Sequence, residues 1–178
     1  MPELLIGCGR SERKKVCHPD SPVEWTELHT LDINPDHQPD MVWDLEALPL
    51  PYYDNAFDEI HAYEVLEHTG AMGDYRFFFT QWAEFWRILK PGGLFCGSVP
   101  LATDKWAWGD PSHKRIVTKE QFVFLDQTEY ERQVGSTSMS DFRYLYQADF
   151  DFIWHEERDG TLYFALSAVK PSRIKAKN

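Results

Sequence analysis

The sequence predicts an α/β protein built on one doubly wound sheet of seven strands, mostly parallel, with an antiparallel hairpin at the C-terminal end. Three observations predict it. Leu4-Leu5-Ile6 is an apolar run that breaks at Gly7-Cys8-Gly9, as a buried strand does when it enters a tight turn. A second short apolar run closes on an acid, Leu31-Asp32-Ile33, and others follow at the same kind of spacing. Near the end, two apolar segments flank Arg158-Asp159-Gly160-Thr161, a turn that joins antiparallel strands.

Each element follows in chain order. Glu3 to Ile6 reads as the first strand. Arg10 to Trp25 reads as loop, because Pro19 and Pro22 interrupt it and it has no steady helical apolar period. Glu27 to Leu31 is the second strand and Met41 to Trp43 a short third. Pro49 and Pro51 punctuate a loop before the fourth strand, Phe57 to Ala62. The longest helix is expected from about Gly73 to Leu89, with Phe78, Trp82, Phe85 and Leu89 at helical spacing and facing the sheet. Lys90 suits the negative end of that helix, and Pro91-Gly92-Gly93 stops it and turns the chain. Leu94 to Val99 is the fifth strand. Leu101 to Val117 is a long loop carrying Trp106 and Trp108, and a helix is expected over Lys119 to Leu125 behind Thr118. Phe150 to His155 and Leu162 to Val169 form the closing hairpin.

Composition narrows the function. The 178 residues suit one domain with a real core, and 43% hydrophobic with 26% charged residues suits a folded, soluble chain. No apolar run approaches the roughly 20 residues of a membrane span, and no basic segment followed by an apolar stretch opens the sequence. A net charge of -11 argues against bulk nucleic-acid binding, which needs a basic surface. Two local basic segments remain, Arg10 to Lys15 and Arg173 to Lys177; solvated loop and frayed terminus are their plainer readings. Three cysteines, Cys8, Cys17 and Cys96, fit free thiols in a reducing cytoplasm better than a disulfide framework. Cys8, Cys17 and His18 lack the paired spacing of a zinc site. Aromatics make up 15% of the chain, enough to fill a core and leave some for a pocket or a contact between subunits.

The strand ends carry the chemistry. Gly7 and Gly9 let backbone approach a ligand, but Glu12 stands where a dinucleotide fingerprint has its third glycine. No helix opens there to hold a pyrophosphate, so a ligand without phosphate fits better. Asp32, at the end of the second strand, can accept both hydroxyls of a ribose. Asp44 can accept from an adenine amine while Leu45 packs on the ring. Either acid can instead serve as a turn or cap residue.

This ordered set resembles the class I S-adenosylmethionine-dependent methyltransferases: Leu4 to Gly9, Leu31 to Ile33, Asp44 to Pro49, Asn55 to Ile60, Glu64 to His68 and Leu89 to Leu94. It is most similar to compact, Rossmann-like members in which the first helix is replaced by a loop. The resemblance covers Glu3 to about Val99. It implies S-adenosyl-L-methionine as cofactor, with Gly7, Cys8 and Gly9 near its methionine and ribose, and Asp32 on the ribose hydroxyls. It also implies Ile33, Asp44 and Leu45 around adenine, and Tyr63, Glu64 and Val65 bordering the methionine end. Arg10 and Ser11 depart from the family, which often has a further glycine there. No helical cap precedes the first strand, so the acceptor is expected to be held by the late loop or by a second copy of the chain.

On the acceptor side, His68 is either a base near the methyl group or a packing residue at a helix start. The loop from Trp106 to Arg115 follows the fifth strand at the carboxyl edge, where ligands bind in open α/β sheets. Its two indoles can stack on a planar acceptor, Asp110 and His113 can polarise or deprotonate it, and Arg115 can hold an anion. An Asp-Pro structural turn is the alternative. The expected activity is methyl transfer to a small-molecule or nucleotide-like acceptor. A binding module that holds the cofactor without transfer is the second reading, and a nicotinamide dehydrogenase the third.

Overall fold

The computed structural model describes residues 1–16 and 22–174 of the chain. Cys17, His18 and Pro19, and the last residues of the basic tail, lie outside the described residues. One seven-stranded sheet has the order β3-β2-β1-β4-β5-β7-β6. β1 (Pro2–Ile6), β2 (Glu27–Asp32), β3 (Met41–Val42), β4 (Phe57–Tyr63) and β5 (Leu89–Pro100) run parallel. β7 (Thr161–Ala168) pairs antiparallel with both β5 and β6 (Phe150–Arg158). The chain thus reverses direction once, at the hairpin where Asp159 and Gly160 both take positive φ. Chain order reverses across the sheet at β1 and β4, which places a ligand crevice at their carboxyl ends.

The two faces of the sheet are covered unequally. On one face, helix α1 (Tyr75–Ile88) starts at Asp74, whose side chain accepts from Phe77 N–H, and buries Phe79, Trp82, Phe85 and Ile88. Trp82 packs at steep angles against Phe95, Phe122 and Phe150, the last two edge to face, at ring separations of 4.8, 5.7 and 5.7 Å. Gly97 lies under the Phe164 ring so closely that a Cβ would stand 2.3 Å from it. On the other face, Leu5, Tyr63, Cys96 and Ala165 are covered by Val16 and Trp25 from the β1–β2 connection, whose described residues contain no helix. The sequence anticipates that loop.

Boundaries differ in a few places. Pro91-Gly92-Gly93 turns the chain as expected, but within a strand: the register of β5 on β4 jumps between Phe57 and Glu59, and the turn is accommodated there. The long loop after β5 contains a short helix, α2 (Lys105–Gly109), capped by Asp104. Lys119–Leu125 is a 3₁₀ helix to which Thr118 gives no side-chain cap. A further helix, α3 (Gln127–Gln133), starts at Asp126; the sequence reading placed nothing there, because its polar run lacks an apolar period. No helix among the described residues is long and apolar enough to cross a membrane.

Candidate functional site

At the carboxyl ends of β1, β2 and β4 lies a cavity of about 510 Å³, within the range of small-molecule sites. Its walls include Gly7, Gly9, Asp32, Ile33, Asp44, Leu45, Val65 and His68. The turn after β1 shapes one wall. Gly7 N–H donates to Leu31 O (2.7 Å), and Gly7 takes φ +61°, with Val65 so near that a Cβ would lie 2.4 Å from its methyl. Gly9 also takes positive φ, and nothing stands within 4 Å of where its Cβ would be. That open space is a cradle which a side chain would partly fill.

Asp32 is 6% exposed. Its Oδ2 accepts from Gly9 N–H (2.8 Å) and its Oδ1 from Asn34 N–H (2.8 Å). His37 Nδ1 stands 3.2 Å from Oδ1 without hydrogen-bond alignment. The carboxylate is therefore fixed in direction with acceptor capacity left on each oxygen, as a vicinal diol requires. Beside it, Ile33 is 64% exposed and faces the same cavity as Trp43 and Leu45, which gives a flat base apolar walls. Asp44 Oδ1 holds Glu46 N–H (2.9 Å). A diol clamp, an apolar slot and an open glycine cradle together fit an adenosyl group.

Three expected cofactor residues are not among the walls of this cavity. Cys8 lines a neighbouring polar cavity of about 460 Å³ that shares Gly9 and His37 with the first. Burial and then Asp32 push its thiol up to about 11, so it is not a thiolate at neutral pH. Tyr63 points to the opposite face of the sheet, where its hydroxyl accepts from Lys15 and Val16 N–H. Alternation along a strand sends Tyr63 and Ala62 to opposite faces. Glu64 accepts from Ser98 Oγ (2.8 Å) and holds φ +55° at the end of β4, a strained backbone for a residue with a Cβ.

The late loop divides in two. Its front half carries Trp106 and Trp108, which are 61% and 70% exposed; Trp108 is pinned by Nε1–H to Ala102 O (2.8 Å). Its back half is stitched to the cavity. Lys114 N–H donates to Glu67 O (2.8 Å), and Lys114 Nζ reaches Glu46 Oε1 (2.7 Å), which also takes Gly70 N–H. These bonds hold the Glu46 carboxyl below its ordinary range. His113 and His68 lie edge to face at 4.7 Å. Asp110 accepts from Ser112 Oγ (2.5 Å), which lowers its pKa, and its Oδ2 stands 3.9 Å from His113 Nε2. Arg115, read from sequence as an anion holder, is buried and donates to Leu66 O, Thr69 Oγ1 and Gln81 Oε1. Burial pulls it down to about 10.

Sequence reasoning missed His37, Trp43, Glu46, Glu67 and Thr69, whereas Lys114 lies within the late loop that it singled out. For His37 a signal existed, since Asn34-Pro35 starts a turn directly after Asp32. Glu67 is buried, and desolvation raises its carboxyl to about 8. Nothing in an exposed-looking Glu-His pair foretells that.

Comparison with known proteins decides the family. The sequence profile described as a methyltransferase domain matches residues 4–97, which is more than half of the chain. The chain belongs to the methyltransferase domain family. A sterol 24-C-methyltransferase of Pneumocystis carinii (strain B80) is 32% identical over 73 residues, covering 40% of this chain and 18% of that protein. This domain therefore matches under a fifth of that relative's length. Among solved structures, a SAM-dependent methyltransferase from Archaeoglobus fulgidus aligns with a TM-score of 0.58 at 17% identity, over 93% of this chain and 85% of that one. The N-methyltransferase NodS of Bradyrhizobium japonicum WM9, solved in complex with S-adenosyl-L-homocysteine, aligns with a TM-score of 0.51 at 15% identity, over 94% and 77%. At these identities the two structures establish the fold, an α/β Rossmann-like methyltransferase sheet.

Proposed function

We propose that this methyltransferase-family domain transfers a methyl group from S-adenosyl-L-methionine to a small-molecule or nucleotide-like acceptor. The observation that carries the reading is the cavity in which Asp32, Ile33, Leu45 and the open Gly9 cradle meet. Asp32 orients the ribose through its two oxygens, already aimed by Gly9 and Asn34. Ile33 and Leu45 sandwich the base, and Asp44 takes its amino edge. Gly7 and Gly9 leave room for the methionine part, with Cys8 and Glu64 flanking the turn. Once bound, the cofactor supplies a methyl group activated by a sulfonium.

The chain's own residues position the acceptor and keep water out. His68 lines the cavity, and His113 and Asp110 stand beside it on the stitched half of the late loop. These three are the residues we assign to orienting or deprotonating the acceptor. The sparse, odd set of three cysteines in the sequence favours a reducing, cytoplasmic setting.

Calorimetry with S-adenosyl-L-methionine and its demethylated product, paired with transfer of a labelled methyl group to cell extract, tests the proposal. Binding of both forms together with label in an acceptor is expected. Binding without transfer points instead to a cofactor-holding module, and absence of binding overturns the reading.

A further inference from the structure

We propose that Glu67, His68 and His113 form a site for one divalent transition-metal ion of the zinc class, at the rim of the cavity described above. Glu67 sits on the 3₁₀ turn Leu66–His68 and is 2% exposed, yet among the described residues neither carboxylate oxygen has a hydrogen-bond partner. Buried carboxylates are paired with cations or bound to metals, because water is not there to solvate them. The nearby guanidinium of Arg115 donates its hydrogens elsewhere, to Leu66 O, Thr69 and Gln81.

The two imidazoles supply what the carboxylate lacks. One ligand atom from each of Glu67, His68 and His113 lies within 4.8 Å of the others. Ligand atoms sharing a tetrahedral zinc stand about 3.4 Å apart, given bonds of about 2.1 Å. Rotation of the two half-buried rings is the motion that would close that gap. Both rings are also oriented as metal ligands are. His113 Nδ1 faces Ala107 O (3.3 Å), and His68 Nδ1 faces Ser112 O (3.3 Å) and Ser112 Oγ (3.1 Å). A carbonyl only accepts, so the proton belongs on Nδ1 and the lone pair on Nε2 is left for an ion. Asp110 Oδ2 stands 3.9 Å from His113 Nε2, too far for a hydrogen bond and near enough for both atoms to bind one ion.

The donor set selects the ion. Two nitrogens with carboxylate oxygen and no thiolate suit zinc, whereas magnesium and calcium favour oxygen alone. The contrast with a second cluster is instructive. Glu3, Glu59 and His61 are similarly close, but the Lys14 ammonium already sits among them, 2.5 Å from Glu3 and 2.9 Å from Glu59. Among the described residues no lysine ammonium pairs with Glu67. Because His68 lines the main cavity, an ion here stands where it can take an oxygen of the acceptor as a Lewis acid does. Metal binding itself does not depend on methyl transfer, and its failure leaves the cofactor reading intact.

The test uses the full chain freed of metal by a chelator and titrated with zinc chloride by calorimetry. One equivalent per chain at micromolar affinity or tighter is expected. Glu67→Gln, which keeps shape and removes charge, and His113→Ala, on the loop, should each weaken zinc by about 10- to 100-fold or more. His29→Ala, at a half-buried histidine on β2, should leave it unchanged. Circular dichroism of the metal-free variants checks their fold. No binding tighter than micromolar, or affinity preserved in both Glu67→Gln and His113→Ala, overturns the site.

Discussion

At the scale of single residues, the cavity depends on two backbone facts and one carboxylate. Asp32 is aimed by Gly9 and Asn34 amides before any ligand arrives, so its bonds to a ribose cost little reorganisation. Asp32→Ala should weaken binding of the demethylated cofactor by about 1.5–3 kcal/mol, the usual worth of hydrogen bonds to a charged group. Titration calorimetry reads this as roughly a tenfold to 150-fold rise in Kd; unchanged affinity would place the ribose elsewhere. Gly7 is the second fact. Its positive φ and the 2.4 Å approach to Val65 leave no room for a methyl group. Gly7→Ala should therefore distort the turn and lower stability to urea more than Gly9→Ala, whose Cβ meets no protein atom within 4 Å. Equal losses of stability would show that conformation alone, and not the Val65 contact, sets the cost.

At the scale of elements, strands and the long helix were legible because their signals are local and strong. Leu4 to Ile6 shows its burial in its own letters, and the apolar spacing of Phe78, Trp82 and Phe85 is helical whatever surrounds it. Pairing partners decided what was not legible. The resemblance implies Tyr63 beside the cofactor, but strand alternation gives it to the face where its hydroxyl accepts from Lys15 and Val16 N–H. Arg115 was read as an anion holder from its charge, but Thr69 and Gln81 claim it inside the protein. The orphaned Glu67 had no signal in the sequence, since burial of a carboxylate emerges only when the late loop folds over it. Helix α1 is where element and core coincide. Trp82 is fully buried among Phe85, Phe95, Phe122 and Phe150. Trp82→Ala should destabilise the fold by about 3–5 kcal/mol, measured by urea unfolding. A loss below about 1 kcal/mol would mean that the aromatic cluster repacks freely.

At the scale of the whole molecule, an aromatic core on one face of the sheet is balanced by a buried polar network on the other. The described residues of the β1–β2 connection add Val16 and Trp25 to that face, and Lys14 ties them down through Glu3 and Glu59. His61 lies in the same layer, its rings of contact being Trp25 and Tyr63, its hydrogen-bond partners Glu59 and the Tyr63 hydroxyl. The neighbouring strands add Leu5 and the Cys96 thiol at its register. Burial lowers its pKa from an ordinary 6.5; Glu59 and Glu3 oppose that shift, and Lys14 adds to it. The sign follows. In the folded state His61 resists a proton that the unfolded chain accepts near pH 6.5. Its stabilisation is thus complete above that pH and is lost as the pH falls below it, at up to about 1.4 kcal/mol per pH unit. Urea unfolding between pH 7.5 and 5.5 should show stability declining over the lower unit, and His61→Gln should flatten that decline while lowering stability at pH 7.5. A slope that survives the substitution would assign the acid sensitivity to groups other than His61.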